Sequence, residues 1–199
     1  MKHVALAITG ASGAVYGLRL TEELLRAGCR VSLLLSRCGL TVLKEECGID
    51  WSGDEAAITA LARTHFGVAD QLTYHANDNF FAPLASGSAA PETMVICPCS
   101  LGTVGRIAAG LSSTLIERAA DVMLKEGRPL LLVPREMPLS ALHLDNLLRL
   151  SRLGVRIVPP MPAFYHQPQT IADLVDFVVG KILDQLDVPH NLFQRWGTP

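Results

Sequence analysis

The chain is short of charge. Only 18% of its 199 residues are Asp, Glu, Lys or Arg, where about a quarter is usual. Its 17 basic residues stand against 19 acidic ones for a net charge of −2, so no basic surplus points to nucleic acid or to an anionic membrane. Cysteine is sparse and odd in number: five residues, at 29, 38, 47, 97 and 99, without the spacing of a secreted disulfide framework, so reduced thiols and a cytoplasmic location are expected. Cys97-Pro98-Cys99 has no second ligand pair at zinc-site spacing and the six histidines are scattered, so no metal is expected. The chain has no apolar run of roughly 18 residues, the length that reads as a membrane span. The run Val4 to Ile8 breaks at Thr9-Gly10, too short for the apolar region of a signal peptide. Repeats, low-complexity tracts and linkers are also missing, and one domain over residues 1–199 is expected.

What is present is apolar: 49% of the residues, with a mean hydropathy of +0.30. At this length folding buries roughly 70% of the unfolded surface, so neither disulfides nor a metal are needed to hold the core. Few charges with much apolar surface also suggest contacts between subunits. Short β-rich runs at 4–9, 30–35, 71–75, 94–97, 130–133 and 155–158 alternate with segments of helical period at 14–27, 40–46, 55–64, 101–109, 113–126, 140–153 and 170–186. That is the pattern of βα units around a parallel sheet. One long stretch, 77–90, rich in Pro, Gly and Ser, reads as structureless, and loops of such length are usually functional or mobile.

In open α/β sheets ligands bind beyond the carboxyl ends of the strands, and the unusual polar residues gather there. Thr9-Gly10-Ala11-Ser12-Gly13 joins a strand to a helix with small residues only. It reads as a phosphate cradle at a helix N-terminus, although its glycines also suit a tight turn and close packing. Ser100-Leu101-Gly102-Thr103 repeats the arrangement, with an ordinary Ser N-cap as the plainer reading. The spacing is not that of a dinucleotide site, and Ser36-Arg37, not an acidic residue, ends the second strand, so a mononucleotide such as FMN fits better than NAD. Arg118, Asp121 and Lys125 recur at helical spacing, as an exposed ion-pair row also would. Arg135-Glu136 places opposite charges directly after an apolar run at the ligand-binding end. Trp196 reads first as an anchor of the chain's tail.

Taken in order, Thr9 to Gly13 with Tyr16-Gly17, Ala85-Ser86-Gly87-Ser88, Met94 to Ser100, Glu117-Arg118-Ala119-Ala120-Asp121, Arg128-Pro129-Leu130, Val133-Pro134-Arg135-Glu136, Phe164 to Pro168 and Arg195-Trp196-Gly197 resemble the flavin prenyltransferases, the UbiX/Pad family. The resemblance runs almost end to end. It implies a Rossmann-like or flavodoxin-like three-layer α/β fold with a mostly parallel central sheet, assembled as a dodecamer. It implies binding of reduced FMN and dimethylallyl monophosphate at a subunit interface, transfer of the dimethylallyl group to flavin N5 and C6 without a metal, and delivery of prenylated FMN to a UbiD-type decarboxylase of ubiquinone biosynthesis or aromatic acid decarboxylation. By position, the resemblance assigns Gly10, Ala11, Ser12, Ser36, Ser100, Leu101, Gly102, Thr103 and Arg135 to FMN. It assigns Phe80, Arg118, Lys125, Glu136, Tyr165, Lys181 and Trp196 to the prenyl substrate, and Ser12, Glu46, Lys125 and Glu136 to catalysis. Arg and Lys aimed at a departing phosphate stabilise the charge it gains, and together these cations are expected to face one phosphate-rich crevice. Glu46 or the released phosphate is expected to take the proton lost when the flavin regains aromaticity.

Two positions depart from the family pattern: Phe80 stands where a Trp is usual and Lys181 where some relatives have Arg, which keeps a π-face and a charge but changes the shape of the prenyl pocket. An FMN-dependent cysteine-type decarboxylase is the rival enzyme, but its catalytic His has no counterpart, since no His lies between 76 and 142. A non-catalytic FMN-binding decarboxylase subunit is the rival outside catalysis, and it has no use for Lys125, Glu136 and Tyr165 together.

Overall fold

Strand residues here alternate between two buried faces, and that alternation organises the whole molecule. The computed structural model describes residues 1–197. In the first strand, β1 (His3–Ile8), Val4, Leu6 and Ile8 point into one apolar cluster and Ala5 and Ala7 into the other. Side chains alternate along a strand with period two, so a strand buried on both sides carries apolar residues throughout. The further strands are β2 (Arg30–Leu35), β3 (Leu72–His75), β4 (Thr93–Cys99), β5 (Leu130–Pro134) and β6 (Arg156–Ile157). They form one six-stranded sheet in the order β3-β2-β1-β4-β5-β6. Every pairing is parallel, so the expected mostly parallel sheet is wholly parallel.

Helices cover both faces. On one lie α1 (Ala14–Arg26), α2 (Arg37–Cys47), α3 (Glu55–Phe66) and α7 (Ile171–Gln185); on the other lie α4 (Leu101–Ala108), α5 (Leu115–Lys125) and α6 (Ala141–Arg152). α2 starts three residues earlier than its apolar period suggests, because the Ser36 hydroxyl accepts the Gly39 N–H at 3.0 Å and caps it. Close approach fixes Gly39 as well: a Cβ there would collide with the Ile8 carbonyl oxygen. No described helix is long and apolar enough to cross a membrane.

The stretch 77–90 is not structureless. It contains a 3-10 turn, Pro83–Ala85, with Leu84 fully buried. The Asn77 carbonyl and side-chain oxygens accept the Leu115 and Ile116 N–H groups at 2.7 and 3.0 Å. Arg118 Nε donates to the Ala85 carbonyl at 3.0 Å, and Arg128 to the carbonyls of Gly87, Ala90 and Pro91. Composition alone hides this, since most of the partners are main-chain oxygens gripped from α5 and from Arg128 just beyond it.

Candidate active site

The strand order reverses between β1 and β4, where a doubly wound sheet opens a crevice. α1 leaves β1 on one face and α4 leaves β4 on the other, so two helix N-termini border it. Thr9 joins the two turns: its buried hydroxyl donates to the Pro98 carbonyl at 2.9 Å and accepts the Ser100 N–H at 2.8 Å.

The two helix starts are satisfied differently. α1 has no side-chain cap at Gly13, whose φ of 107° lies in the left-handed region that favours glycine. Two of its N–H groups go to Glu46 instead, which accepts Gly13 N at 2.8 Å and Ala14 N at 3.1 Å. Partial burial pushes the Glu46 carboxyl up, but hydrogen bonds from the Ser12 hydroxyl and these two amides, with the charge of Arg135, outweigh it and hold it below the usual carboxylate value. The last amide of the Thr9 to Gly13 turn is thus taken by the chain's own carboxylate. At α4 the Ser100 hydroxyl accepts only the Thr103 N–H, at 3.3 Å, and lies 3.0 Å from the Thr103 hydroxyl. The Leu101 and Gly102 amides there take no partner among the described residues. Gly102 is exposed, and a Cβ added to it would meet nothing nearer than Arg106 Nη1 at 3.5 Å.

Arg135 closes the crevice from β5, its Nε donating to the Ser12 carbonyl at 3.1 Å and its N–H to the Cys99 carbonyl at 3.3 Å. Ser12, Ser36, Glu46, Ser100 to Thr103 and Arg135 therefore gather at adjacent strand ends, with Gly10 and Ala11 in the β1–α1 turn. The glycine reading of that turn as close packing holds too: a Cβ at Gly10 would collide with Cys38. Glu136 follows Arg135 as an exposed carboxylate that accepts the Met137 N–H at 3.1 Å. Burial pushes the Cys97 and Cys99 thiols well up, so neither is a nucleophile at neutral pH.

The other expected residues are engaged by local partners within one chain. Arg118 is held by the Ala85 carbonyl and by Asp121 at 2.8 Å, and Lys125 pairs with Glu126. Both lie on α5, seven residues apart. Lys181 pairs with Asp184 at 3.6 Å and lines a groove of about 530 Å³ between β6 and α7, with Arg156, Val158 and Phe177. Tyr165 and Trp196 do meet, edge to face with ring centroids 5.2 Å apart, and Tyr165 also packs on Phe177 at 5.8 Å, so Trp196 is an anchor of the tail and a neighbour of a site residue at once. Phe80 is partly exposed and its neighbour Phe81 fully exposed.

Comparison with known proteins supplies what geometry in one chain does not. The Flavoprotein family model matches residues 1–183. A protein of Pseudomonas aeruginosa named flavin prenyltransferase UbiX is 48% identical over 197 residues, covering 98% of this chain and 94% of the relative. This chain belongs to the UbiX flavin prenyltransferases. Among solved UbiX structures, AnUbiX in complex with FMN and dimethylallyl pyrophosphate superposes with a TM-score of 0.86 at 36% identity, covering 99% of this chain and 98% of that one. A dodecameric FMN-dependent UbiX-like decarboxylase from Escherichia coli O157:H7 gives a TM-score of 0.85 at 39% identity, over 98% of this chain and all of that one. The UbiX match at this identity and coverage does not favour the rival cysteine-type decarboxylase.

Proposed function

We propose that this single-domain chain transfers a dimethylallyl group from dimethylallyl monophosphate to reduced FMN, in a cytoplasmic homododecamer whose active sites lie between copies. The observation that carries this reading is the division of the chain's polar residues into two sets. The crevice at the β1/β4 reversal holds free amides and Arg135, while a separate pair of cations sits on α5, engaged by Asp121 and Glu126. In one chain each set is half a site; copies placed side by side complete it.

The residues present fit FMN. Leu101 and Gly102 offer unpaired amides at the start of α4, where a helix dipole favours a phosphate. The Ser36 and Thr103 hydroxyls keep donor capacity beside them, Arg135 supplies charge, and Gly10, Ala11 and Ser12 give a low wall of small residues. Bound reduced flavin supplies the nucleophilic N5 and C6 to which the prenyl group is joined, with phosphate and a proton released.

This chain's own residues then do four things. Arg118 and Lys125 of one copy, with Glu136, Tyr165 and Lys181 contributed around them, hold the prenyl phosphate, and the two cations stabilise the charge that develops as it leaves. Phe80, Tyr165 and Trp196 present aromatic faces to the allyl group and exclude water. Ser12 orients the reacting end between the flavin and Glu46. Glu46, ionised but held below the usual carboxylate value, is a weaker base than the released phosphate, whose second ionisation lies near pH 6. The phosphate therefore takes the final proton more readily, with Glu46 positioning Ser12.

Anaerobic incubation with reduced FMN and dimethylallyl monophosphate is expected to give a flavin heavier by one prenyl unit, and the pyrophosphate is run alongside it. Folded, FMN-loaded protein that leaves the flavin mass unchanged with both would overturn the proposal and leave the non-catalytic FMN-binding reading. The product is expected to activate a UbiD-type decarboxylase apoenzyme when the two are mixed.

A further inference from the structure

A side-chain bridge leads away from the flavin-side helix start to the helix that carries Arg118 and Lys125. Arg106, one turn beyond Thr103, places Nη2 3.4 Å from the Thr103 hydroxyl and donates from Nε to Glu117 Oε1 at 2.6 Å. The other Glu117 oxygen accepts the Ser113 N–H at 2.8 Å. Glu117 is only 2% exposed while Arg106 is about half exposed. A buried carboxylate is tolerated only when paired and hydrogen-bonded, and such a pair is better attested as a device for fixing register than as a source of stability.

What this pair fixes is clear from its neighbours. One end is tied to the turn of Ser100 and Thr103; the other immediately precedes Arg118. From the opposite side Asn77 holds the same turn of α5 through the Leu115 and Ile116 N–H groups. The first turn of α5 is thus pinned between a fixed loop and α4. We infer that Arg106 and Glu117 are positioning residues of prenyl transfer: through them the flavin-side start of α4 sets the placement of α5, and so of the phosphate-holding Arg118 and Lys125 presented to a neighbouring copy. The inference rests on the reading in the preceding subsection.

Glu117→Gln keeps the volume and an acceptor for Ser113 but gives up the ion pair; Arg106→Lys keeps a charge and loses the fork that reaches Thr103. Both variants, wild type and the double variant Arg106→Gln/Glu117→Gln are prepared as the intact oligomer. They are loaded with oxidised FMN, so that no transfer follows, and titrated calorimetrically with dimethylallyl monophosphate; melting temperatures and turnover with reduced FMN are measured beside this. Affinity for the prenyl phosphate is expected to fall roughly ten- to a hundredfold in Glu117→Gln, as for a small displacement of positioned groups, with FMN affinity changed by less than about twofold. The double variant is expected to be no worse than Glu117→Gln, since both remove one link, and Arg106→Lys to lie between it and wild type. Folded Glu117→Gln that binds the prenyl phosphate like wild type and differs only in melting temperature makes the pair a structural brace and overturns the inference. Wild-type protein that makes no heavier flavin overturns the parent reading; active wild type with an equally active Glu117→Gln overturns this one alone.

Discussion

The starts of α1 and α4 look alike as sequences, each a small-residue turn after an apolar strand, and they are capped by different means. At α1 a carboxylate 33 residues away takes the Gly13 and Ala14 amides; at α4 Ser100 takes one amide and leaves two. Every helix start has N–H groups without an internal partner, so whether it binds a ligand depends on what the rest of the chain sends there. A small-residue turn therefore announces close packing first and an anion site only when its donors stay free.

The contrast breaks most sharply if α4 is made to resemble α1. Gly102→Asp adds a carboxylate where there is open room for it; like charges about 4 Å apart cost enough to weaken FMN binding roughly a hundredfold or more. A fluorescence titration that shows wild-type FMN affinity would remove the phosphate from α4. Next in size, Lys125→Ala lies outside both helix starts: turnover is expected to drop roughly a hundredfold while FMN affinity holds, and equal activity denies the lysine its phosphate-holding role. Ser100→Ala removes the cap and is expected to destabilise the protein by about 1 kcal/mol, read as a shift in the denaturation midpoint.

The smallest effect belongs to Glu46→Gln, which leaves FMN affinity nearly unchanged if α1 takes no phosphate, and slows turnover less than Lys125→Ala. Because the folded carboxyl lies below its ordinary value of 4.5, the unfolded chain binds the proton more readily. Glu46 therefore stabilises the fold above that ordinary value, and the benefit is lost as the pH falls through the lower folded one. The stability gap between wild type and Glu46→Gln should stay constant near neutrality and close in acid. A gap that widened in acid would contradict the capping role.

Much of the fold could be read from local pattern. The β2 boundaries match residue for residue and the other helices begin and end within two residues of their periods, because apolar alternation and Ser or Thr caps are short-range signals. β4 outruns its expected end through a register shift between Ile96 and Cys99, and β6 shrinks to two residues before Pro159-Pro160. Strand order, the hold of α5 on 77–91 and the Glu46 cap lay beyond that reading, since each is made by partners far apart in the chain. The same holds for Arg106: a charged helix residue looks solvated until the buried Glu117 is found opposite it.

A protein that gives up its flavin as product stands empty between turnovers, unlike one that keeps a flavin as part of its core. Its walls have to stand without the ligand. By seating its own carboxylate on two amides at the start of α1 and joining the β1 and β4 turns through Thr9, the chain ties these two turns together without any ligand.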